Sequence, residues 1–147
     1  MKPVSIPPNY FYLGIFLSIV FYFIFPSWNL IVFPYNLIGS VLIVFGFFLI
    51  IYSWALFQKH GTPEDFSKST ALVTENLYSF SRNPMYLGAV IVLIGLSILL
   101  GNVLSFIIPV LFFIIIDRMF IPFEEEKNTK TFGKKFLDYK KRTRRWL

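Results

Sequence analysis

Cysteine is absent, and histidine occurs only at His60. Without thiols the chain can form no disulfide, no thiolate metal site and no cysteine nucleophile, and one imidazole cannot build a histidine metal cluster. No metal is expected. Charge is also scarce, at 15% of residues. There is no Gly-rich phosphate loop and no GxSxG elbow, and no internal repeat, low-complexity tract or second domain stands out. The net charge of +6 is concentrated in Lys140-Lys141-Arg142-Thr143-Arg144-Arg145. Beside a membrane, such a cluster points to anionic headgroups more than to nucleic acid.

What the chain has in quantity is apolar surface: 56% of its 147 residues are hydrophobic and 20% aromatic. Too little polar side chain remains to coat a soluble domain of this size, so the bilayer is the natural solvent. Crossing about 30 Å of hydrocarbon takes roughly 20 apolar residues. The apolar runs predict spans over about 10–28, 35–57, 86–101 and 103–121, with Gly101-Asn102 as the turn between the last two. All 14 Lys and Arg lie at Lys2, between Lys59 and Arg82, or from Arg118 onward. Four spans put every one of them on a single side, which the positive-inside rule assigns to the cytoplasm; three or five would scatter them.

The expected fold is therefore an all-α membrane protein, a single domain over 1–147 with four transmembrane helices and both termini cytoplasmic. A prokaryotic inner or plasma membrane is the expected location. Lys2 and the first apolar run resemble a signal peptide, but no small-residue cleavage pattern follows Phe25, so an uncleaved first span is expected. The cytoplasmic elements are 58–85 and 122–147. The first is long for so small a membrane protein, which marks it as functional. In the second, Phe132, Phe136, Tyr139, Thr143 and Trp146 recur at spacings of four, three, four and three, predicting an amphipathic helix with one apolar stripe.

Two segments bracket the last pair of spans: Arg82-Asn83-Pro84-Met85-Tyr86-Leu87-Gly88 and Glu124-Glu125-Glu126. A membrane hairpin returns the chain to the side it left, so both belong at one face. Asn83 suits an N-cap and Pro84 the first helical position. Arg82 and Tyr86 then read either as interface anchors or, with the helix N-terminus, as an anion site. Gly88 and Gly95, seven apart, either let a neighbouring helix approach closely or leave room for a flat ligand. The three carboxylates are either a solvated acidic turn or partners for ribose hydroxyls or a cationic ligand. Asp117-Arg118 reads as an ion pair at the membrane edge.

Taken together, these segments resemble the integral-membrane methyltransferases of the isoprenylcysteine carboxyl methyltransferase and phospholipid methyltransferase family. The resemblance covers about 61–147 and rests on several motifs in order. They are Gly61-Thr62-Pro63, Leu72-Val73-Thr74 with Tyr78, the Arg82–Gly88 signature, Gly95, Glu124-Glu125, Phe132-Gly133, Phe136 and Tyr139. It implies S-adenosylmethionine as methyl donor and a lipophilic acceptor: a lipid amine, or a prenyl-type carboxylate or thiol. It further implies that Leu72, Val73 and Tyr78 line the cofactor pocket, that Asn83, Pro84, Met85, Tyr86 and Gly88 hold the cofactor, and that Glu124 anchors its polar end. Tyr78 and Tyr86 can offer aromatic faces to a sulfonium. Arg82 and Glu125 are the catalytic candidates, Glu125 as the base an amine acceptor would need.

The sequence departs from the family at four points. Asn83 stands where many members have histidine, Phe120 where some have a substrate-contacting arginine, and Asn128 and Phe136 where Leu and Tyr are usual. Arg118, two residues before Phe120, is the candidate substitute for substrate contact. The alternative is a non-catalytic membrane protein whose basic tail binds anionic lipid or a partner.

Overall fold

A computed structural model describes residues 7–60 and 71–147; Gly61-Thr62-Pro63 lies outside them. Helix α1 (Pro7–Ile24) is followed by a loop and a 3-10 turn (Tyr35–Leu37) leading into α2 (Ile38–Lys59). A single-turn α3 (Leu77–Phe80) precedes α4 (Pro84–Leu100). A second 3-10 turn (Val103–Phe106) opens α5 (Ile107–Ile115), which passes through a π-helical turn (Ile116–Phe120) into α6 (Ile121–Phe132), and α7 (Lys134–Arg142) completes the order. Among the described residues there is no strand, only isolated bridges at Asn29–Asn102 and Ser81–Arg144.

Three helical stretches are long and apolar enough to cross a bilayer: Pro7–Ile24 (18 residues), Tyr35–Lys59 (25) and Val103–Phe132 (30). Their outward faces carry large apolar side chains such as Phe16, Phe23, Val44 and Phe48, all more than half exposed. Such surface belongs in lipid. Helix α4 is shorter, with 17 residues, roughly 26 Å at 1.5 Å per residue. It is apolar on every side and packs against α1, α2 and α5, as expected of a central helix. Its Leu93 forms the core with Ile108, Phe112, Ile116, Phe120 and Ile121.

Glycines set the distance between α2 and α4. A Cβ on Gly88 would stand 2.7 Å from the Gly46 carbonyl oxygen, and one on Gly46 would stand 2.6 Å from that of Gly88. Gly39 and Gly95 repeat the arrangement one heptad away. Of the two readings of Gly88 and Gly95, the structure therefore shows close packing.

At one end of the bundle the turn after α4 is as the sequence suggested. Gly101 takes a left-handed φ of +70°, where glycine carries no Cβ penalty. Buried Asn102 donates to the Phe25 carbonyl and accepts from the Leu104 amide.

At the other end the sequence is misleading about where a helix stops. Pro122 and the charges after Phe123 suggest a terminus, yet helix continues to Phe132, with Pro122 in the first turn of α6. Successive α-helical residues point about 100° apart, so the three carboxylates diverge. Glu124 meets Tyr86, Glu125 is buried against Arg82, and Glu126 is exposed with Lys130 at 2.5 Å. The tail is two helices rather than one, because Gly133 (φ 53°, ψ −125°) turns the chain between α6 and α7. The predicted stripe survives the break: Phe136, Tyr139 and Thr143 are buried.

Candidate active site at the junction of α3, α4 and α6

Tyr86, near the start of α4, donates its hydroxyl to Glu124 Oε1 at 2.5 Å, a contact between residues 38 apart. Tyr78 on α3 lies beside this pair, buried with Val73 and Leu56. The ring of Phe57 packs 5.0 Å from that of Tyr78. The Tyr78 hydroxyl adjoins that of Ser53, a fully buried side chain on α2. Tyr139 on α7 donates to the Tyr78 carbonyl at 2.6 Å. Burial pushes the Tyr78 phenol well above its ordinary pKa and that of Tyr139 up to about 12. Both stay protonated at neutral pH.

The second cluster is ionic. Arg82 reaches Glu125 Oε1 through Nη2 at 2.7 Å and Nε at 3.2 Å. The other carboxylate oxygen takes Lys140 at 2.7 Å and Arg145 at 3.5 Å. Both Arg82 and Glu125 side chains are about nine-tenths buried. The remaining Arg82 donor, Nη1, goes to the carbonyls of Lys140 and Thr143. The anion bound by Arg82 is thus Glu125 of the same chain, and the expected catalytic pair is a mutually neutralising one. A buried carboxylate costs several kcal/mol unless paired in this way.

Other predicted residues fall in varied places. Pro84 opens α4 as expected. Asn83 does not cap it with its side chain; the amide donates instead to the Arg145 carbonyl at 2.9 Å, and its N–H to Ser81 Oγ at 3.1 Å. Val73 is buried, whereas Leu72 and Met85 are half-buried. Gly88 is at the α2–α4 contact. Arg118 stands outside the cluster, 83% exposed and 3.6 Å from Asp117. Phe120, where an arginine occurs in some relatives, is buried against Tyr10 with ring centroids 5.3 Å apart. Sequence reasoning passed over Ser53 and placed Lys140 and Arg145 in a headgroup-binding cluster and Trp146 in the apolar stripe, not at the site. A serine inside an apolar run was the only signal for the first.

Residues 35–135 match the model of the phospholipid methyltransferase family. The chain belongs to that family. The matched stretch contains Tyr78, Arg82, Tyr86, Glu124 and Glu125, and stops before Lys140. Over 74 residues the chain is 35% identical to protein-S-isoprenylcysteine O-methyltransferase B of Arabidopsis thaliana, covering 48% of this chain and 36% of the plant protein. The chain thus spans about a third of that relative's length. It is also 33% identical over 63 residues to an uncharacterized protein of Haemophilus influenzae, 43% of this chain and all of that one. Among the described residues no group of three or more His, Asp or Glu is placed to hold a metal.

Proposed function

We propose that the chain is an S-adenosylmethionine-dependent methyltransferase acting on a lipophilic acceptor where the membrane meets the cytosol. The observation that carries this reading is the division of labour between adjacent carboxylates. Glu125 is saturated by Arg82, Lys140 and Arg145. Glu124 instead has a phenol at 2.5 Å, with Lys127, one turn along, acting on it at longer range. A carboxylate beside two tyrosines and an apolar wall suits a ligand that carries a cation and hydroxyls.

These residues fit the cofactor that the family implies. Glu124 would hold its polar end, Tyr86 and Tyr78 would face its positive charge, and Leu72 and Val73 would cover its apolar side. Asn83, Pro84 and Met85 would align it at the start of α4, above Gly88. When bound, the cofactor supplies an electrophilic methyl group. The chain's own task is to orient an acceptor in line with it and to exclude water. Arg82 and Glu125 serve by fixing the start of α4 relative to α6. Buried Phe120 leaves Arg118, exposed at the π turn, as the residue able to meet an anionic acceptor arriving through the lipid.

In this reading α4 is a fourth span, and both termini are cytoplasmic, as the basic residues require. The alternative, a non-catalytic protein with a lipid-binding basic tail, is disfavoured because Lys140 and Arg145 turn inward to Glu125. Calorimetry with S-adenosylhomocysteine on detergent-purified protein tests the proposal. Saturable binding is expected, and its absence would sink the reading. Incubating membranes with labelled methyl donor and analysing lipid extracts would then identify the acceptor.

A further inference from the structure

Residues 143–146 leave α7 and run alongside the segment that opens α4. The Arg144 carbonyl accepts from the Arg82 amide at 3.0 Å, forming the bridge between Ser81 and Arg144. The Arg145 carbonyl accepts from Asn83 Nδ2 at 2.9 Å and from Ser81 Oγ at 3.4 Å. The Thr143 carbonyl accepts from the Arg82 guanidinium, and the Thr143 hydroxyl donates to the Ser79 carbonyl at 3.4 Å. The Arg82 amide, the Ser81 hydroxyl and the Asn83 side-chain amide, which does not cap α4, thus find their acceptors in this strap.

The far end of the strap is fastened to the membrane helix. Trp146 Nε1 donates to Asp117 Oδ1 at 2.9 Å, and Arg145 Nη1 approaches the same oxygen at 3.3 Å. The Trp146 ring lies on Phe113 with centroids 4.7 Å apart. Asp117 sits in the π turn, at the end of a long apolar run, where a carboxylate is costly without partners. Neither Trp146 nor Asp117 makes a direct hydrogen bond or ion pair with 81–83, and the strap connects Trp146 to that segment.

We propose that Trp146 and Asp117 are positioning residues that latch the strap onto the π turn and thereby hold Arg82 and Asn83 at the ligand-facing start of α4. The inference depends on the methyltransferase reading only for the ligand used as a probe.

The test uses the full chain carrying Trp146→Ala, Trp146→Phe or Asp117→Asn, with Lys141→Gln as an exposed control. It reads amide hydrogen exchange across 81–83 and calorimetric affinity for S-adenosylhomocysteine. For Trp146→Ala, exchange at the Arg82 amide should accelerate and affinity should weaken, each about tenfold, the scale of one or two lost hydrogen bonds and a ring contact. Trp146→Phe keeps the ring on Phe113 but loses the donor, so about threefold is expected. Lys141→Gln should leave both readouts unchanged. Unaltered exchange in both Trp146→Ala and Asp117→Asn would overturn the proposal. So would faster exchange with unaltered affinity, since the latch would then hold the fold without positioning the site. If Trp146→Ala loses its helical circular dichroism, the two milder variants decide. If the unsubstituted protein binds no S-adenosylhomocysteine, the methyltransferase reading fails, and exchange alone judges the latch: acceleration supports it, none overturns it.

Discussion

The Tyr86 hydroxyl and the Glu124 carboxylate meet at 2.5 Å, tying the second residue after Pro84 in α4 to the residue that follows Phe123 in α6. This contact closes the hairpin on the side where ligand binding is proposed. Glu124→Ala should weaken S-adenosylhomocysteine binding at least tenfold, the usual scale for losing a charge-assisted hydrogen bond. Tyr86→Phe, which keeps the ring, should weaken it less. Normal binding by a folded Glu124→Ala variant would remove Glu124 from the site.

Arg82→Met should be the most destabilising substitution in the cluster. It leaves Oε1 of buried Glu125 without its two guanidinium donors, with Lys140 and Arg145 on the other oxygen only, and strips donors from two carbonyls, a loss on the order of 3 kcal/mol. Arg82→Lys keeps the charge but not the planar fork, so it should recover part of that loss. Thermal unfolding in detergent, followed by tryptophan fluorescence, would rank them. Equal midpoints for Arg82→Met and the parent would show that the pair contributes little.

Two glycine substitutions separate crowding from conformation. Gly88→Ala places a methyl 2.7 Å from the Gly46 carbonyl oxygen, forcing α2 and α4 apart at about 1–3 kcal/mol. Gly133→Ala meets nothing within 4 Å but must hold φ at 53° with ψ at −125°, a nearly glycine-only conformation costing about 1–3 kcal/mol. Both should lower the thermal midpoint. An unchanged midpoint for Gly88→Ala would mean that the α2–α4 contact can relax.

Arg118→Gln probes the acceptor side. Since its side chain is exposed and removed from the Tyr86–Glu124 pair, the affinity for S-adenosylhomocysteine should not change. If the acceptor is anionic, its KM should rise several-fold with kcat nearly constant, as expected when uniform binding is lost. A fall in kcat at unchanged KM would contradict a docking role.

Hydropathy and charge placement revealed the apolar helices and the α4–α5 turn, because span length and the Gly101-Asn102 pair each act locally. The family motifs named Tyr78, Arg82, Tyr86, Glu124 and Glu125, which the fold brings together at the junction. Their pairing could not be read: the hairpin brings 82–86 and 124–126 together, but which carboxylate meets which partner depends on helix rotation. The Asn83 cap failed because tertiary acceptors in the strap outcompeted a local bond. The helix runs on past 121, where the span was expected to end, because proline is tolerated in a first helical turn and a π turn lies just ahead of it.

That π turn also sets a phase. A turn closed by i→i+5 bonds takes up one residue more than an α turn, so everything after Ile116–Phe120 is indexed to it. Winding the same residues as α turns instead would advance the following helix by about 100°. Phe123 would then inherit the phenol, Glu124 the arginine, and Glu125 the solvent. The three glutamates are chemically identical, and their different fates are decided by angular bookkeeping upstream of all of them.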